Sequence, residues 1–401
     1  MLMLISEFLD LNLPIPSWYS GRLWLLRLGL YKLTREKEKA DDWIWIIDHS
    51  VQWGKEKCLA ILGIRQSRLP DCETILRHQD VEPLSLFPVT KSNGDVVYRQ
   101  LEETISKTGV PKEIISDHGR DVKSGIEQFC KKHPGTKFVY DITHKAAALL
   151  KRELSTDDRW IEFSKQAAST RKKLQQTQLA SIAPPNQRSK ARYMNVGELV
   201  KWGMDKLVLL DSRDSCKELG CTMDYLDEKL GWLAEFCYDL TGWEDLIHIV
   251  KEAESFIKFQ GIYGNCHLDM MQLPTFKATT RKGKILREEL IDFVANESKK
   301  ADENERLLGS TEIIESVFGK MKRLEHDQAK SGFTVFILNF AAIVSETSVN
   351  SVQKALETVP TKKVFKWFEE TIGRSVQSKR KLINSFIKNA EQKREHIAMG
   401  A

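Results

Sequence analysis

The amino-acid sequence predicts an α/β protein: a mixed β-sheet flanked by helices, with a large all-helical insertion. Three observations support this fold class. Apolar, β-rich segments are confined to residues 42–155, where a run of strands is followed by alternating helices and strands. From 156 to 306, leucine and aromatic residues recur at helical spacing. The 401-residue chain is 41% hydrophobic and 29% charged, which is ordinary for a globular protein.

The predicted sheet has five strands between residues 42 and 141. They are expected at Asp42–Ser50, Cys58–Arg65, 85–90, Glu113–Ser116 and Lys137–Asp141. The helices among them are expected at Val96–Thr108, Val122–Lys132 and Thr143–Leu154. The resulting order, β-β-β-α-β-α-β-α, is the topology of RNase H-like folds, and it satisfies the rules for crossover connections.

Helices are predicted on both sides of this alternating region. Residues 1–41 are expected to be helical, with an interruption at Pro14 and Pro16. In the block from 156 to 306, strand signals nearly vanish and a hinge is expected at Ala183–Asn186. A strongly amphipathic helix begins after Gly309, and a helical tail follows it.

Two aspartates follow apolar segments of the predicted sheet. Asp48 follows Trp43–Ile47, and Asp117 follows Glu113–Ser116. Burying an unpaired carboxylate is costly, so such a group normally finds a cation or stays neutral. Because the carboxyl ends of neighbouring strands open on one crevice, both acids are expected to point at one site. Asp141 closes a third strand in the same way.

The helix that begins after Gly309 offers a third acid. Its apolar stripe consists of Ile313, Ile314, Val317, Phe318, Met321 and Leu324. At about 100° per residue, Glu312 faces away from this stripe, whereas Glu315 and Lys322 share one of its flanks. We therefore predict that Glu315 is the third acid and that Lys322 contacts a phosphate.

Three carboxylates that converge on one crevice suit Mg²⁺, which prefers oxygen ligands and keeps waters and substrate phosphates. Asp48, Asp117 and Glu315 are predicted to hold two Mg²⁺ ions, for which Mn²⁺ could substitute. Two such ions promote an in-line displacement at phosphorus. A plainer interpretation also stands: an acid at a strand end often caps the next helix, and Asp117 precedes Gly119 and a helix.

Three segments resemble bacterial insertion-sequence transposases with a DDE catalytic domain. WIWIIDHSVQWGKEKCLAILGI resembles their first-acid strand pair, and EIISDHGRDVKSGIEQF resembles their second-acid strand and helix. TEIIESVFGKMK resembles their third-acid helix, in which the Glu is followed seven residues later by Lys. The resemblance implies a polynucleotidyl transferase with Asp48, Asp117 and Glu315 as its acids.

A fourth segment, Asp141-Ile142-Thr143-His144, is similar to the Cys/Asp-x-x-His motif of hAT-like transposases. In that family the His lies near the scissile phosphate, which implies DNA contacts for Asp141 and His144. A helical insertion between the second and third acids also resembles the hAT-like arrangement. One branch of the DDE family has Tyr and Arg before the third acid, whereas this chain has Leu308 and Thr311.

The predicted domain organisation follows from these segments. It comprises an N-terminal helical segment (1–41), the first part of the catalytic core (42–155), a helical insertion (156–306), the final core helix with the third acid (307–345) and a C-terminal helical tail (346–401). No convincing helix-turn-helix precedes residue 42, so the first segment is interpreted as a candidate remnant of a DNA-binding domain.

The predicted function is metal-dependent cleavage of transposon DNA ends and strand transfer into target double-stranded DNA. Because two DNA ends must meet, a homodimer or larger assembly is expected. Two alternatives stay open: an RNase H-like nuclease without strand transfer, and a catalytically silent DNA-binding protein descended from a transposase.

Further candidate DNA contacts lie in the insertion. Arg188, Lys190 and Arg192 belong to one of four basic clusters, the others being 171–173, 281–284 and 379–381. A solvated helix face is the plainer interpretation of each cluster. Trp202 is a candidate for stacking on a flipped base, although core packing is the more common role of such a residue.

Composition limits the remaining functions. The formal net charge of +5 is too small to indicate a polyanionic partner by itself. The seven scattered cysteines lack the paired spacing of a structural zinc site and indicate a reducing compartment. No apolar run reaches the roughly 20 residues of a membrane span, and the N-terminus does not resemble a signal peptide. We expect a cytoplasmic, nucleoid-associated protein.

Overall fold

The computed structural model describes residues 15–53, 56–69, 74–186, 196–211, 220–326, 337–371, 373 and 383–385. The chain divides into two compact units. Unit 1 comprises Met1–Arg68, Leu76–Phe138 and Glu312–Ala401, and unit 2 comprises Leu69–Ile75 and Val139–Thr311.

The structure contains five strands and a large number of helices. The strands are β1 (Trp43–Trp53), β2 (Glu56–Arg65), β3 (Glu82–Val89), β4 (Glu113–Ser116) and β5 (Lys137–Tyr140). The helices of unit 1 are α1 (Trp18–Thr34), α2 (Gly94–Thr108), α3 (Arg120–Lys132), α11 (Glu312–His326), α12 (Leu338–Ile343), α13 (Val349–Thr358) and α14 (Thr361–Thr371). Those of unit 2 are α4 (Ile142–Ser155), α5 (Asp158–Leu174), α6 (Val196–Asp211), α7 (Met223–Leu230), α8 (Cys237–Gln260), α9 (Cys266–Gln272) and α10 (Arg281–Ser298).

The strands form one mixed sheet in the order β3-β2-β1-β4-β5. β1 runs antiparallel to β2, and β2 runs antiparallel to β3, whereas β1 and β4 are parallel. β5 begins in unit 1, and its last two residues belong to unit 2. This is the RNase H-like topology that the order of predicted elements indicated, so the predicted fold class is confirmed.

One face of the sheet is covered by α2 and α3. Trp43, Trp45 and Ile47 alternate along β1 and pack in a buried cluster with apolar residues of both helices. The two helices can approach closely because α3 has Gly125 at their contact. A Cβ atom at this position would lie 2.6 Å from the Cβ of Val97. This face is therefore dry and tightly packed.

The other face of β1 presents Ile44 and Ile46, which have no exposed surface. α11 contacts β1, and none of its described residues belongs to the cluster with α2 and α3. α11 therefore covers the face on which Ile44 and Ile46 lie. α1 and α12 contact β3, and they cross closely where Gly29 faces the backbone of Leu338.

A buried ionic cluster ties α1 to its neighbours in unit 1. The fully buried Lys32 ammonium donates to the carbonyl oxygens of Ala342, Val344 and Ser345 and to the Thr347 hydroxyl. Glu82 of β3 accepts from Arg35 and from Lys37. Burial lowers the pKa of Lys32 and of Lys37 to about 8, although the charge of Glu82 opposes this shift. α1 is consequently an integral part of unit 1.

Unit 2 is helical apart from the end of β5 and one isolated bridge, Ile262 to Leu307, in its described residues. Its core contains a cluster of aromatic rings, namely Trp160, Phe163, Trp202, Trp232, Phe236 and Trp243. The predicted all-helical insertion is confirmed. Ala183–Asn186, the predicted hinge, follows a short 3₁₀ helix.

None of the helices in the described part of the chain combines the length and the apolar character that crossing a membrane requires. Of the seven cysteines, the five that the structure describes are free thiols.

Candidate active site

The parallel pairing of β1 with β4 brings two of the predicted acids to one edge of the sheet. The last residue pair between β1 and β4 is Ile47 and Ser116. Asp48 and Asp117 are the residues that directly follow this pair. Partners in a parallel pair point to the same face, and Trp45 and its partner Ile114 both pack in the cluster with α2 and α3. By the same alternation, Asp48 and Asp117 are directed to the opposite face.

The third predicted acid lies on the helix that covers that face. α11 contacts β1, and the stripe residues whose side chains are described, Ile313 to Met321, are buried as expected from the sequence; the Leu324 side chain lies outside that description. Glu312 is exposed, whereas Glu315 is partly buried on the flank of this stripe. Unit 1 therefore contains all three predicted acids: Asp48 within β1, Asp117 directly after β4, and Glu315 on a helix packed against β1. The sequence placed Asp48 near the end of its strand, whereas β1 continues to Trp53.

The carboxylate of Asp117 has an unusual environment. Its Oδ1 atom is buried and has no hydrogen-bond partner among the described residues. The carboxylate folds over Gly119, where an added Cβ would lie 3.2 Å from Oδ1 and 3.4 Å from Oδ2. Gly119 is the N-cap residue of α3, and no side chain caps this helix. Asp117 is thus not serving as a helix cap, which was the plainer interpretation of its position.

An orphaned buried carboxylate oxygen is expensive unless a cation satisfies it. The donor set fits Mg²⁺, because all three predicted ligands are carboxylates and the ion prefers hard oxygen donors. Asp48 and Glu315 each have further interactions in the structure. The buried Oδ1 atom of Asp117 is therefore the atom that a bound divalent cation would satisfy.

Polar residues also surround the opposite side of β1 at this edge. His49 Nδ1 lies 3.5 Å from Asp121 Oδ2, and its Nε2 lies 3.3 Å from the Ser92 hydroxyl. Burial lowers the pKa of His49, although the charge of Asp121 opposes this shift. Burial raises the pKa of Asp121, but a hydrogen bond with Ser92 and the charge of His49 outweigh it, leaving that pKa below its usual value.

Unit 2 contains an aspartate whose two carboxylate oxygens both form hydrogen bonds. Asp141 is buried, and it caps α4 by accepting from the Thr143 N–H at 2.9 Å through Oδ1. Oδ2 accepts from the Thr311 hydroxyl and bonds His144 Nδ1, both at 2.7 Å. Three partners hold this carboxylate, and its bond to Nδ1 fixes the orientation of the His144 ring.

The Asp141 side chain has no exposed surface and is bonded to the His144 ring, and its predicted contact with DNA stays a prediction. His144 has 31% of its side chain exposed, so it can reach a ligand while Asp141 holds it. If the imidazole donates this bond, its proton lies on Nδ1 and Nε2 is left as an acceptor.

Trp202 packs in the aromatic core of unit 2. It is 7% exposed, and its indole N–H donates to the Ile182 carbonyl at 2.9 Å. Its ring lies 6.3 Å from that of Trp232. These contacts identify Trp202 as a core residue, which is the more common role that the sequence offered beside base stacking.

The remaining predicted DNA contacts are described only in part. Lys322 lies in α11, but its side chain is not among those that the structure describes. Arg188, Lys190 and Arg192 lie outside the described residues. For these four residues, DNA contact stays a prediction.

One cation from each of two other basic clusters is engaged within unit 2. Arg171 donates to the Pro184 carbonyl, and Lys282 pairs with Asp157 at 2.9 Å. Asp157 also caps α5. These two cations are at least partly explained by folding.

Sequence reasoning missed Thr311 and Gly119 as site residues. Thr311 was noted only as the residue that replaces a family arginine, and its bond to Asp141 joins positions 170 residues apart in the chain. Gly119 could have been found, because a glycine two residues after a strand-end acid leaves space for that side chain to fold back.

Comparison with known proteins gives little direct assignment. No protein-family model matches the sequence, and no curated protein matches it. Among solved structures, the chain is similar to the Drosophila P element transposase strand transfer complex. The identity is 12%, the alignment covers 86% of this chain and 89% of that chain, and the TM-score is 0.37. Function is therefore argued from the residues of this chain.

Proposed function

We propose that the protein is a DNA transposase of the DDE type, with Asp48, Asp117 and Glu315 as its catalytic acids. The observation that carries the proposal is the register of β1 and β4, which makes Asp48 and Asp117 neighbours beyond the pair Ile47 and Ser116. The contact of α11 with β1 supports Glu315 as the third acid.

In this proposal the three carboxylates hold two Mg²⁺ ions. When bound, the ions supply Lewis-acid activation of a water or 3′-hydroxyl and stabilise the leaving oxygen. Asp117 contributes the buried Oδ1 atom, which lacks a partner among the described residues. The dry packing of α2 and α3 fixes β1 and β4, so the first two acids are presented on rigid strands.

His144 is proposed to contact the DNA backbone near the reacting phosphate. Asp141 fixes the ring through Nδ1, and Thr311 completes the bonding of that carboxylate. A neutral His144 would present Nε2 as an acceptor, whereas a protonated His144 would donate to a phosphate oxygen. Lys322 is proposed as a second phosphate contact, on the same flank of α11 as Glu315.

The biological setting is also a proposal. Joining two transposon ends to a target requires an assembly that holds both, so a homodimer or larger complex on double-stranded DNA is proposed. The interpretation of residues 1–41, the domain boundaries and a cytoplasmic, nucleoid-associated location remain predictions from the sequence.

The test is a cleavage and strand-transfer assay on DNA that carries the sequences flanking the gene, with Mg²⁺ and a target plasmid. Glu315→Gln and Glu312→Gln form a matched pair, because both residues lie in the first turn of α11 and only Glu315 is partly buried. Glu315→Gln is expected to abolish both reactions, and Glu312→Gln to leave them intact.

The same assay separates the alternatives. Metal-dependent cleavage without joined products would favour a nuclease that lacks strand transfer. Binding of the DNA without any Mg²⁺-dependent product, in wild type and variants alike, would favour a silent DNA-binding protein. Equal activity in Glu315→Gln and wild type would contradict the assignment of the third acid.

A further inference from the structure

Two short helices near the end of the described chain, α13 and α14, have no role in the proposed DNA cleavage and strand transfer. α13 and α14 are separated only by Val359 and Pro360, and both contact α1. Arg27 of α1 donates to the carbonyl oxygens of Leu356 and Val359. These are carbonyls at the end of α13, where helical partners run out, so Arg27 fastens the turn between the two helices.

The two faces of α14 differ sharply in character. Val364 and Phe368 are buried. On the opposite side of the helix, Lys362, Lys363 and Lys366 are exposed, as expected from their spacing of three and four residues. The apolar face is thus used for packing, and a lysine face is left at the surface.

The order of charges along α14 opposes the helix dipole. The three lysines lie in the first half of the helix, its first turn contains no acid, and Glu369 and Glu370 lie near its end. Acids near a helix N-terminus and cations near its C-terminus would stabilise the helix, so this arrangement does the reverse. The charge order therefore has no explanation in the stability of the helix, whereas an external anion would benefit from both the lysines and the N-terminal dipole.

The lysines are mostly uncommitted within the protein. Lys362 and Lys363 form no ion pair with any residue that the structure describes, and Lys366 lies 3.6 Å from Glu370 in an exposed pair. Such exposed pairs are weak and are easily replaced by another anion. The sequence beyond α14 is also cationic: between residues 374 and 394 it has one acid, Glu391, and seven basic residues, Arg374, Lys379, Arg380, Lys381, Lys388, Lys393 and Arg394.

We propose that the lysine face of α14 binds the phosphate backbone of double-stranded DNA, as a binding surface separate from the catalytic acids. The choice of DNA as the polyanion rests on the proposed function. A membrane surface is a poorer occupant, because a helix that lies on a membrane must insert an apolar face, whereas Val364 and Phe368 are buried in the protein and Phe365 alone is an exposed large apolar side chain of α14. The contact is to phosphates, so it contributes affinity and register without reading base sequence.

The experiment measures equilibrium binding of the full-length protein to a fluorescent 30-base-pair duplex by anisotropy, with EDTA present and at several salt concentrations. The test variant is Lys362→Ala/Lys363→Ala/Lys366→Ala. The charge-matched control is Lys131→Ala/Lys201→Ala/Lys277→Ala, which removes three other exposed lysines. Because EDTA prevents metal-dependent cleavage, the result does not depend on the catalytic assignment.

The test variant is expected to bind about 10- to 100-fold more weakly at low salt, with the slope of log K against log salt reduced by roughly 2 to 3. The control is expected to match wild type. Thermal melting of both variants checks that they remain folded, and Lys362→Arg/Lys363→Arg/Lys366→Arg should restore binding.

Equal affinity and equal salt slope in the test variant and the control would overturn the proposal. So would a wild type that binds vesicles containing anionic lipid but not duplex DNA. A loss of DNA cleavage in Asp117→Asn with unchanged binding would support the proposed function independently of this surface.

Discussion

Asp117 and Asp141 follow neighbouring strands of one sheet, yet their environments differ in every respect that matters for chemistry. Asp117 has a buried oxygen without a partner among the described residues, and it does not cap the helix that follows it. Asp141 caps α4 and uses both carboxylate oxygens in hydrogen bonds. The same sequence pattern thus leads to two environments: the Asp117 carboxylate has a buried oxygen without a described partner, and the Asp141 carboxylate is bonded to a histidine.

The environments of Asp117 and Asp141 should contribute differently to the free energy of unfolding. A carboxylate held by three neutral or cationic donors stabilises its surroundings, because removing it leaves those donors unsatisfied. A carboxylate with an unsatisfied buried oxygen costs stability until a cation arrives. Substitutions of Asp117 should therefore affect catalysis more than stability, and substitutions of Asp141 should affect stability.

The largest effect is expected for Asp117→Asn on DNA cleavage. The substitution keeps the shape of the side chain but removes a charge that the proposed metal site needs, so the rate should fall roughly 10³-fold. Because the substitution removes an unsatisfied buried charge, the free energy of unfolding without Mg²⁺ should equal or exceed that of wild type. Rates of DNA cleavage with Mg²⁺ and urea unfolding of the same preparation provide the two measurements. Wild-type cleavage activity in Asp117→Asn would contradict the role proposed for Asp117.

The second effect is expected for Asp141→Ala on stability. The Thr143 N–H, the Thr311 hydroxyl and His144 Nδ1 would all lose their shared acceptor inside the protein. The free energy of unfolding should fall by about 3 kcal/mol. Asp117→Ala serves as the matched control in urea unfolding. A similar loss in both variants would mean that the two aspartates are equally structural.

A smaller effect is expected for Thr311→Val, which keeps the shape of the side chain and removes its hydroxyl. The bond to the Asp141 carboxylate would be lost, at a cost of about 1.5 kcal/mol in unfolding free energy. If Thr311 helps to position His144, the pH profile of cleavage should also shift. Thr311→Ser keeps the hydroxyl and should restore both properties; a serine variant as impaired as the valine variant would point to packing instead.

The smallest effect concerns pH and the His49–Asp121 contact beside the acids of unit 1. Burial keeps the folded-state pKa of His49 below its usual value of 6.5, so the unfolded chain takes up a proton more readily than the folded protein. The free energy of unfolding should therefore decrease as the pH falls below 6.5. Urea unfolding at pH 7.5 and pH 5.5 should show a smaller decrease in His49→Gln than in wild type. An identical decrease in the two proteins would exclude this contribution of His49.

The fold could be predicted to a large extent because its signals are local. The β4 strand was expected at Glu113–Ser116 and has those bounds in the structure. The other strands and the helices between them follow the predicted order, with ends that differ by a few residues. Apolar runs and helical spacing are properties of short windows, so they can be recognised without knowing which residues meet in space.

The distinction between Asp117 and Asp141 could not be predicted in this way. Both follow apolar segments and precede helices, and the partner that marks Asp141 most clearly is Thr311, far along the chain. The same limit applies to Lys32, whose partners lie more than 300 residues away. Contacts between distant residues decide whether a carboxylate is satisfied, and a single sequence does not reveal them.

The helical position of Glu315 shows what an intermediate signal can provide. The apolar stripe of α11 predicted that Glu312 would face solvent and that Glu315 would lie on a flank, and their exposures in the structure agree. Its role as a metal ligand depends on side-chain geometry in the presence of an ion and remains a proposal.

The most direct test of the central proposal is Mn²⁺ binding, followed through the electron paramagnetic resonance signal of the free ion, in the presence of duplex DNA. The account predicts uptake of two ions per chain by wild type and by Glu312→Gln, and loss of that uptake in Asp48→Asn/Asp117→Asn. Unchanged Mn²⁺ uptake in the double variant would contradict the assignment of these acids as metal ligands.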